Sequence, residues 1–225
     1  MRYARPLAAL VLLSLSALCR GADAPKPAPF ENEIQAFEQS DKANPPLKDA
    51  VLFVGSSSIR LWKTLEQDMP GIKVINRGFG GSQVEHSVRY ADRIVLPYRP
   101  KLIVFYAGDN DVAAGKSPNR VLEDFTAFVA KVKPALPQTK ILYVAIRPSV
   151  VRWHLQGRQW LANQMLRDYA DAEPAVEYVD VVPTLLGPDG RPRADYLVAD
   201  RLHLNPDGYR AWTAVIRPAV EQALR

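Results

Sequence analysis

The sequence predicts an α/β fold in which a five-stranded parallel sheet lies between two layers of helices. Short apolar runs of strand length alternate with longer stretches of helical character from residue 50 to the end of the chain. Glycine, serine, asparagine or proline closely follows each apolar run, as expected where a buried strand ends. Helical crossovers make neighbouring strands parallel and cover both faces of the sheet. The expected architecture is therefore a flavodoxin-like, three-layer αβα sandwich.

Five apolar runs account for the strands. They are residues 50–55, 73–76, 101–106, 140–146 and 176–182. The third run is the clearest, because its large apolar side chains are nearly continuous and Ala107-Gly108 ends it. The first run ends in Gly55 and three serines, and the second leads into the glycine-rich segment 76–81. These endings predict two turns at which the backbone changes direction sharply.

Capping residues and prolines delimit the helices. The predicted helices are residues 31–39, 82–98, 117–133 and 158–170, and a last one that starts at Asn205-Pro206. Ser117-Pro118 combines a capping serine with a proline in the first turn. Pro97 and Pro100 end the second helix, because proline cannot continue the hydrogen-bond pattern.

The first residues predict export. Arg2 and Arg5 precede an apolar run from residue 7 to 18, and Ala22-Asp23-Ala24 follows it. This order is typical of a secretory signal peptide with cleavage after Ala24, and the apolar run is too short for a transmembrane helix. A periplasmic or secreted location follows. The competing interpretation is a lipoprotein anchor at Cys19, which Leu18 disfavours because a small residue is expected before that cysteine.

The predicted domain organisation has three parts. Residues 1–24 form the signal peptide, 25–46 a proline-rich leader with a short helix, and 47–225 the α/β domain. Cleavage after Ala24 removes the only cysteine, so the mature chain can have neither a disulfide nor a cysteine nucleophile. It leaves a net charge of +3 without a basic block, which gives no support to nucleic-acid binding. No stable membrane insertion of the mature chain is expected, and its oligomeric state stays open.

The chemically suggestive residues lie in loops that follow strands. In a parallel α/β sheet, ligands bind beyond the carboxyl ends of the strands, so these loops are expected to form one site. Asp200 and His203 form an acceptor and a base three residues apart, an arrangement suited to activating a serine hydroxyl. Ser56, Ser57 and Ser58 are the serines that follow the first strand. A metal site built from Asp109, Asp111 and His203 has no recognisable spacing, so neither a metal nor a cofactor is expected.

Four segments, taken in order, resemble the SGNH (GDSL-type) hydrolase family. That family has a Gly-Asp-Ser-like turn, an Asn-x-Gly-x-x-Gly loop, a Gly-x-Asn-Asp loop and an Asp-x-x-His segment before the last helix. Ser56 stands where the family usually has an acidic residue. The corresponding segments here are Gly55-Ser56-Ser57, Asn76-Arg77-Gly78-Phe79-Gly80-Gly81, Gly108-Asp109-Asn110-Asp111 and Asp200-Arg201-Leu202-His203.

The resemblance implies a role for each matching residue. Ser57 corresponds to the nucleophile, His203 to the base and Asp200 to its partner. Gly81, or alternatively Gly80, and Asn110 correspond to the donors of the oxyanion hole, joined by the backbone N–H of Ser57. The implied activity is that of an exported serine esterase that acts through an acyl-enzyme.

The substrate is expected to be a small-molecule or saccharide ester with a short acyl group such as acetyl. The loop that follows the fourth strand supplies Arg147, Arg152 and Trp153 as candidate substrate-binding residues, since tryptophan can stack on a sugar ring. Lysophospholipase or thioesterase activity at the same site is the alternative within the family. A non-catalytic binding module on the same fold is the alternative from another class of function.

Overall fold

A computed structural model describes residues 28–225 of the chain. The expected signal peptide, its cleavage position after Ala24 and the alternative anchor at Cys19 lie outside these residues. Within the described part, no helix combines the length and the apolar character that crossing a bilayer requires.

The sheet has five parallel strands in the order β2-β1-β3-β4-β5, which confirms the predicted fold class. Parallel pairing brings the carboxyl ends of all five strands to one edge of the sheet. The strands are β1 (Val51–Gly55), β2 (Val74–Gly78), β3 (Leu102–Tyr106), β4 (Lys140–Val144) and β5 (Val176–Val179).

Helices cover both faces of this sheet. Side chains of successive strand residues point to opposite faces, and each face has its own apolar core. One core includes Leu52, Ile103 and Phe105, and the other includes Phe53 and Val104. The helices are α1 (Glu31–Ala43), α2 (Ser57–Arg60), α3 (Leu65–Asp68), α4 (Val84–Ile94), α5 (Asp109–Ala113), α6 (Pro118–Val132), α7 (Gln156–Ala172) and α8 (Pro206–Ala223).

Several predicted ends differ from the observed ones for identifiable reasons. Strand β4 ends at Val144 instead of residue 146, because the Asn163 side chain accepts from Ile146 N–H and donates to its carbonyl. Helix α4 begins at Val84 instead of residue 82, and the Val84 N–H donates to the carboxylate of Asp111. Helices α2, α3 and α5 have only four or five residues, too few for a periodic pattern to predict.

Helix α1 packs into the core, although residues 25–46 are predicted to form a leader that precedes the domain. Ile34 is fully buried in the same core as strand β1. Arg93 of helix α4 forms ion pairs with Glu31 and Glu38. A boundary at residue 46 therefore does not separate helix α1 from the core.

Gly55, at the end of β1, allows the ends of β1 and β3 to lie close together. Its φ of +137° lies outside the range that other residues adopt readily, and an added Cβ would lie 1.8 Å from the carbonyl oxygen of Tyr106. The neighbouring Ser56 N–H donates to the same oxygen at 2.9 Å. Only glycine allows the chain to leave the sheet this close to β3.

We therefore expect Gly55→Ala to lower the free energy of unfolding by at least about 3 kcal/mol, because backbone strain and a clash with main-chain atoms add together. Urea unfolding followed by circular dichroism measures the change. Gly71→Ala is the matched control: its φ is +78°, but no atom lies within 4 Å of the added Cβ. If Gly55→Ala lowered the free energy of unfolding no more than Gly71→Ala does, the ends of β1 and β3 could move apart at little energetic cost.

Candidate active site

The turn after β1 presents one of its three serines at the carboxyl edge of the sheet. Ser57 is the first residue of the short helix α2 and is 7% exposed, whereas Ser56 and Ser58 are almost completely buried. The Ser58 hydroxyl accepts from the guanidinium of Arg147 at 3.3 Å, and the Ser56 hydroxyl has no partner among the described residues. Of the three candidates, Ser57 is the one that contacts the histidine.

Ser57, His203 and Asp200 form a continuous chain of hydrogen bonds. The Ser57 Oγ lies 3.0 Å from Nε2 of His203, and Nδ1 of His203 lies 2.6 Å from Oδ2 of Asp200. A carboxylate can only accept, so in neutral imidazole the proton is on Nδ1 and the lone pair on Nε2 faces the serine. This arrangement can take a proton from the Ser57 hydroxyl when it attacks an electrophile.

A tight turn before α8 holds the aspartate and the histidine together. Oδ1 of Asp200 accepts from the backbone N–H groups of Leu202 and His203, and Arg201 has a positive φ of 57°. Burial alone would raise the pKa of Asp200, but the hydrogen bonds from the His203 side chain and from these backbone groups lower it to about 2. Asp200 therefore remains an acceptor for the imidazole throughout the neutral range.

The glycine-rich segment 76–81, which begins in the last residues of β2, packs against the serine turn. The Asn76 side chain donates to the Ile59 carbonyl at 2.7 Å and accepts from Gly78 N–H at 2.9 Å. An added Cβ at Gly78 would lie 2.2 Å from the backbone nitrogen of Arg60, so this segment can approach α2 only with glycine there. Gly81 follows with a φ of +79°, and its N–H donates to no acceptor in the part of the chain that the structure describes.

The loop after β3 brings a side-chain amide to the same edge. Asn110 lies in α5 and donates through Nδ2 to the Ser82 carbonyl at 3.0 Å. Asp111, fully buried, accepts from Val84 N–H and pairs with Lys116 at 3.2 Å. These contacts connect the loops that follow β2 and β3. They bring Gly81 and Asn110, the residues expected to form an oxyanion hole, into neighbouring loops.

The expected contact between Arg147 and the substrate is not supported by the structure. Arg147 is only 2% exposed, and its guanidinium donates to the Ser58 hydroxyl and the Pro148 carbonyl. No carboxylate lies within ion-pair distance of it among residues 28–225. The buried Arg147 side chain therefore stabilises the serine turn through its hydrogen bond to Ser58. Local sequence does not predict this contact.

Arg152 and Trp153 occupy the loop between β4 and α7. Arg152 donates to Oδ2 of Asp109 at 2.9 Å and so connects this loop to the one that carries Asn110. Val151 N–H donates to the Arg201 carbonyl and connects it to the histidine turn. Trp153 lies on the opposite side of the loop, where it lines a separate cavity.

That cavity was not anticipated from the sequence. Its volume is about 940 Å³, and it lies beside the carboxyl ends of β4 and β5 against helix α7. Gln159, Trp160 and Tyr178 are among the residues that line it. Trp153, which is predicted from the sequence as a candidate for stacking on a sugar ring, also lines it, but local sequence gives no sign that Trp160 of α7 lines the same cavity.

Comparison with solved structures supports the fold. A GDSL-like lipase from Bacteroides thetaiotaomicron superposes with a TM-score of 0.72 at 21% identity, over 85% of this chain and 98% of that one. A carbohydrate esterase family 3 protein from Talaromyces cellulolyticus gives a TM-score of 0.62 at 17% identity, over 78% and 97% of the two chains. An acetyl-xylooligosaccharide esterase from Geobacillus stearmophilus gives 0.59 at 14% identity, over 80% and 95%.

Sequence comparison identifies the family. A search of curated proteins found no match. The model of the GDSL-like lipase/acylhydrolase family, however, matches residues 54–211, which include all three members of the Ser57–His203–Asp200 chain. The match covers more than half of the chain, so this protein belongs to the GDSL-like lipase/acylhydrolase family.

Proposed function

We propose that this protein is a serine esterase that removes acetyl or other short acyl groups from carbohydrate esters. The observation that carries the proposal is the hydrogen-bond chain from the Ser57 hydroxyl through His203 to Asp200. Family membership supports an ester-hydrolysing activity. The structural neighbours include an acetyl-xylooligosaccharide esterase and a carbohydrate esterase, which supports the choice of acyl group and alcohol.

The proposed reaction has two acyl-transfer steps. His203 accepts the proton of Ser57 while Oγ attacks the ester carbonyl, and then donates it to the departing alcohol. A water molecule attacks the resulting acyl-serine, again with His203 as the base, which releases the acid and restores Ser57. Asp200 orients the imidazole and stabilises its positive charge in both steps. No metal or cofactor takes part in this proposal.

The negative charge that develops on the carbonyl oxygen needs donors that are already in place. The N–H of Gly81 and the N–H of Ser57 donate to no acceptor in the described part of the chain, so both can serve. The Asn110 amide donates to the carbonyl of Ser82, the residue that follows Gly81, which supports a shared role. Donors fixed in advance stabilise the transition state without the cost of reorganising solvent.

We expect Asn110→Ala to lower kcat by about 10²–10³-fold, because it removes one of these donors while leaving Ser57 and His203 in place. Steady-state kinetics with p-nitrophenyl acetate measures the change. The matched control is Asn119→Ala, at the exposed start of α6, which should leave kcat unchanged. If kcat of Asn110→Ala stays within twofold of the original protein, Asn110 is not an oxyanion donor.

A panel of esters tests the proposed specificity. Acetylated xylo-oligosaccharides and p-nitrophenyl acetate should be hydrolysed with higher kcat/KM than p-nitrophenyl palmitate, a lysophospholipid or an acyl thioester. A preference for the long-chain substrates would replace the proposal with lipase or lysophospholipase activity. Absence of hydrolysis and of fluorophosphonate labelling would favour a binding module.

Export to the periplasm or to the exterior is the second part of the proposal. It is supported by the charged start, the apolar run 7–18 and the Ala22-Asp23-Ala24 segment. Determining the amino-terminal sequence of protein recovered from outside the cytoplasm would test it, with Pro25 as the expected first residue.

A further inference from the structure

The cavity between α7 and the ends of β4 and β5 is too large to be a packing fault. Its volume of about 940 Å³ lies in the range of ligand-binding pockets. None of Ser57, Asp200 and His203 lines the cavity, whereas Trp153 of the loop 145–155 does. The same loop contacts residues next to the proposed catalytic ones, because Arg152 donates to Asp109 and Val151 N–H donates to the Arg201 carbonyl.

One buried polar group in the cavity has no partner. Gln159 is 4% exposed, and its Nε2 donates to no acceptor in the described part of the chain. An unpaired buried amide N–H costs about 1–3 kcal/mol, so a ligand oxygen that accepted from it would recover this free energy. Beside it, Asn163 is held rigidly by two hydrogen bonds to Ile146. The wall of the cavity therefore includes an unpaired amide donor, which suits an oxygen-rich ligand.

Aromatic side chains provide flat surfaces around this donor. Trp160 is 62% exposed, which is unusual for the largest apolar side chain, and Trp153 and Tyr178 also line the cavity. The electron-rich face of an aromatic ring attracts the polarised C–H groups on one face of a pyranose. Burial raises the pKa of Tyr178, so its hydroxyl keeps its proton at neutral pH.

The charges around the cavity argue against an anionic ligand. Arg167 is its only arginine or lysine within the described residues, and it already pairs with Asp180 at 2.7 Å and covers the ring of Tyr178. Asp168 adds a further carboxylate. A phosphate or carboxylate would meet two negative side chains and no unpaired arginine or lysine. An acyl chain would leave the Gln159 amide unpaired. A neutral, polyhydroxylated ring is not repelled by the carboxylates, and its oxygens can accept from the Gln159 amide.

We propose that this cavity binds neutral sugar rings of an oligosaccharide whose esterified ring lies at Ser57. The inference rests on the proposed function, because it assumes that the ester alcohol is a carbohydrate. Neighbouring strands are about 4.8 Å apart, and β3 alone separates β1 from β4, so the two sites lie roughly 10 Å or more apart. A single acetylated sugar is too short to occupy both, and the cavity therefore selects for oligosaccharides.

Substitutions in the cavity should affect only substrates that reach it. Trp160→Ala should raise KM for an acetylated xylotetraose about tenfold, equivalent to about 1.4 kcal/mol of binding free energy, with little change in kcat. Gln159→Leu, which removes the amide but keeps the volume similar, should act in the same direction. Neither variant should change kcat/KM for p-nitrophenyl acetate. Leu161→Ala is the matched control, since Leu161 is 45% exposed on the same helix and does not line the cavity.

Direct binding separates this inference from the proposed function. Unacetylated xylotetraose, cellotetraose and mannotetraose, all neutral, would be titrated into the intact protein by calorimetry. At least one should bind, about tenfold more weakly to Trp160→Ala and unchanged to Leu161→Ala. Failure of all three to bind, or equal affinity in Trp160→Ala, would overturn the inference. The inference would also be overturned if Trp160→Ala raised KM for p-nitrophenyl palmitate but not for the acetylated xylotetraose. Saccharide binding without hydrolysis of any ester would refute the proposed function and leave the cavity assignment intact.

Discussion

Replacing Ser57 by alanine should abolish ester hydrolysis, with kcat reduced on the order of 10⁶-fold, because no other group can form the acyl-enzyme. The Ser57 hydroxyl is the one that lies 3.0 Å from His203 Nε2, and its neighbours point elsewhere. Steady-state kinetics with p-nitrophenyl acetate measures the loss. Mass spectrometry after treatment with a fluorophosphonate should show one adduct on the original protein and none on the variant.

The structure also identifies the proper control for this substitution. Ser58 accepts from the buried Arg147, so Ser58→Ala would leave that guanidinium with the Pro148 carbonyl as its remaining acceptor in the described part of the chain and lower the free energy of unfolding by about 1–3 kcal/mol. The Ser56 hydroxyl has no partner among the described residues, so Ser56→Ala should preserve both stability and activity. If Ser57→Ala were active while Ser56→Ala was not, the nucleophile would have to be reassigned.

Asp200→Asn should lower kcat by about 10⁴-fold while the fold stays intact. Asparagine keeps a carbonyl oxygen that can accept from Leu202 N–H and His203 N–H, so the turn survives. Its amide in place of Oδ2 donates to Nδ1 of His203, which moves the imidazole proton to Nε2. The base then faces Ser57 with a proton in place of a lone pair. Kinetics with p-nitrophenyl acetate and thermal unfolding together distinguish this tautomer effect from unfolding.

Asp195→Asn provides a matched comparison, because Asp195 is an exposed aspartate in the preceding loop whose carboxylate pairs with Arg193. Its kcat should equal that of the original protein. A loss of less than tenfold in Asp200→Asn would show that Asp200 does not determine the tautomer of His203. The turn would then be a structural element rather than part of the catalytic chain.

Several features of this protein could be predicted from local sequence. The run 101–106 predicted β3 within one residue, because a continuous apolar segment ended by glycine has few alternatives. Ser117-Pro118 and Asn205-Pro206 located the starts of α6 and α8, since capping depends on neighbouring residues only. The short helices α2, α3 and α5 were missed, because one turn of helix is stabilised by its surroundings rather than by periodicity.

Local sequence predicts the pairing of some residues of the candidate site, whereas only the fold brings the others together. Asp200 and His203 are three residues apart, so their pairing could be expected from the sequence. Ser57 and His203 are 146 residues apart, and only the parallel sheet brings the loops that carry them to one edge. Arg147 was expected to contact the substrate because of its loop, yet burial beneath Ser58 directs it away from solvent.

The sequence by itself determined the class of fold, the alternation of its elements and the identity of the residues that could carry acyl transfer, because these depend on local patterns and on the order of motifs. Tertiary structure decided which serine meets the histidine and which arginine supports the serine turn. It also decided that α7, β5 and the loop between β4 and α7 enclose a cavity. The physical reason is that burial and hydrogen-bond partners depend on residues distant in the chain, which no local pattern specifies.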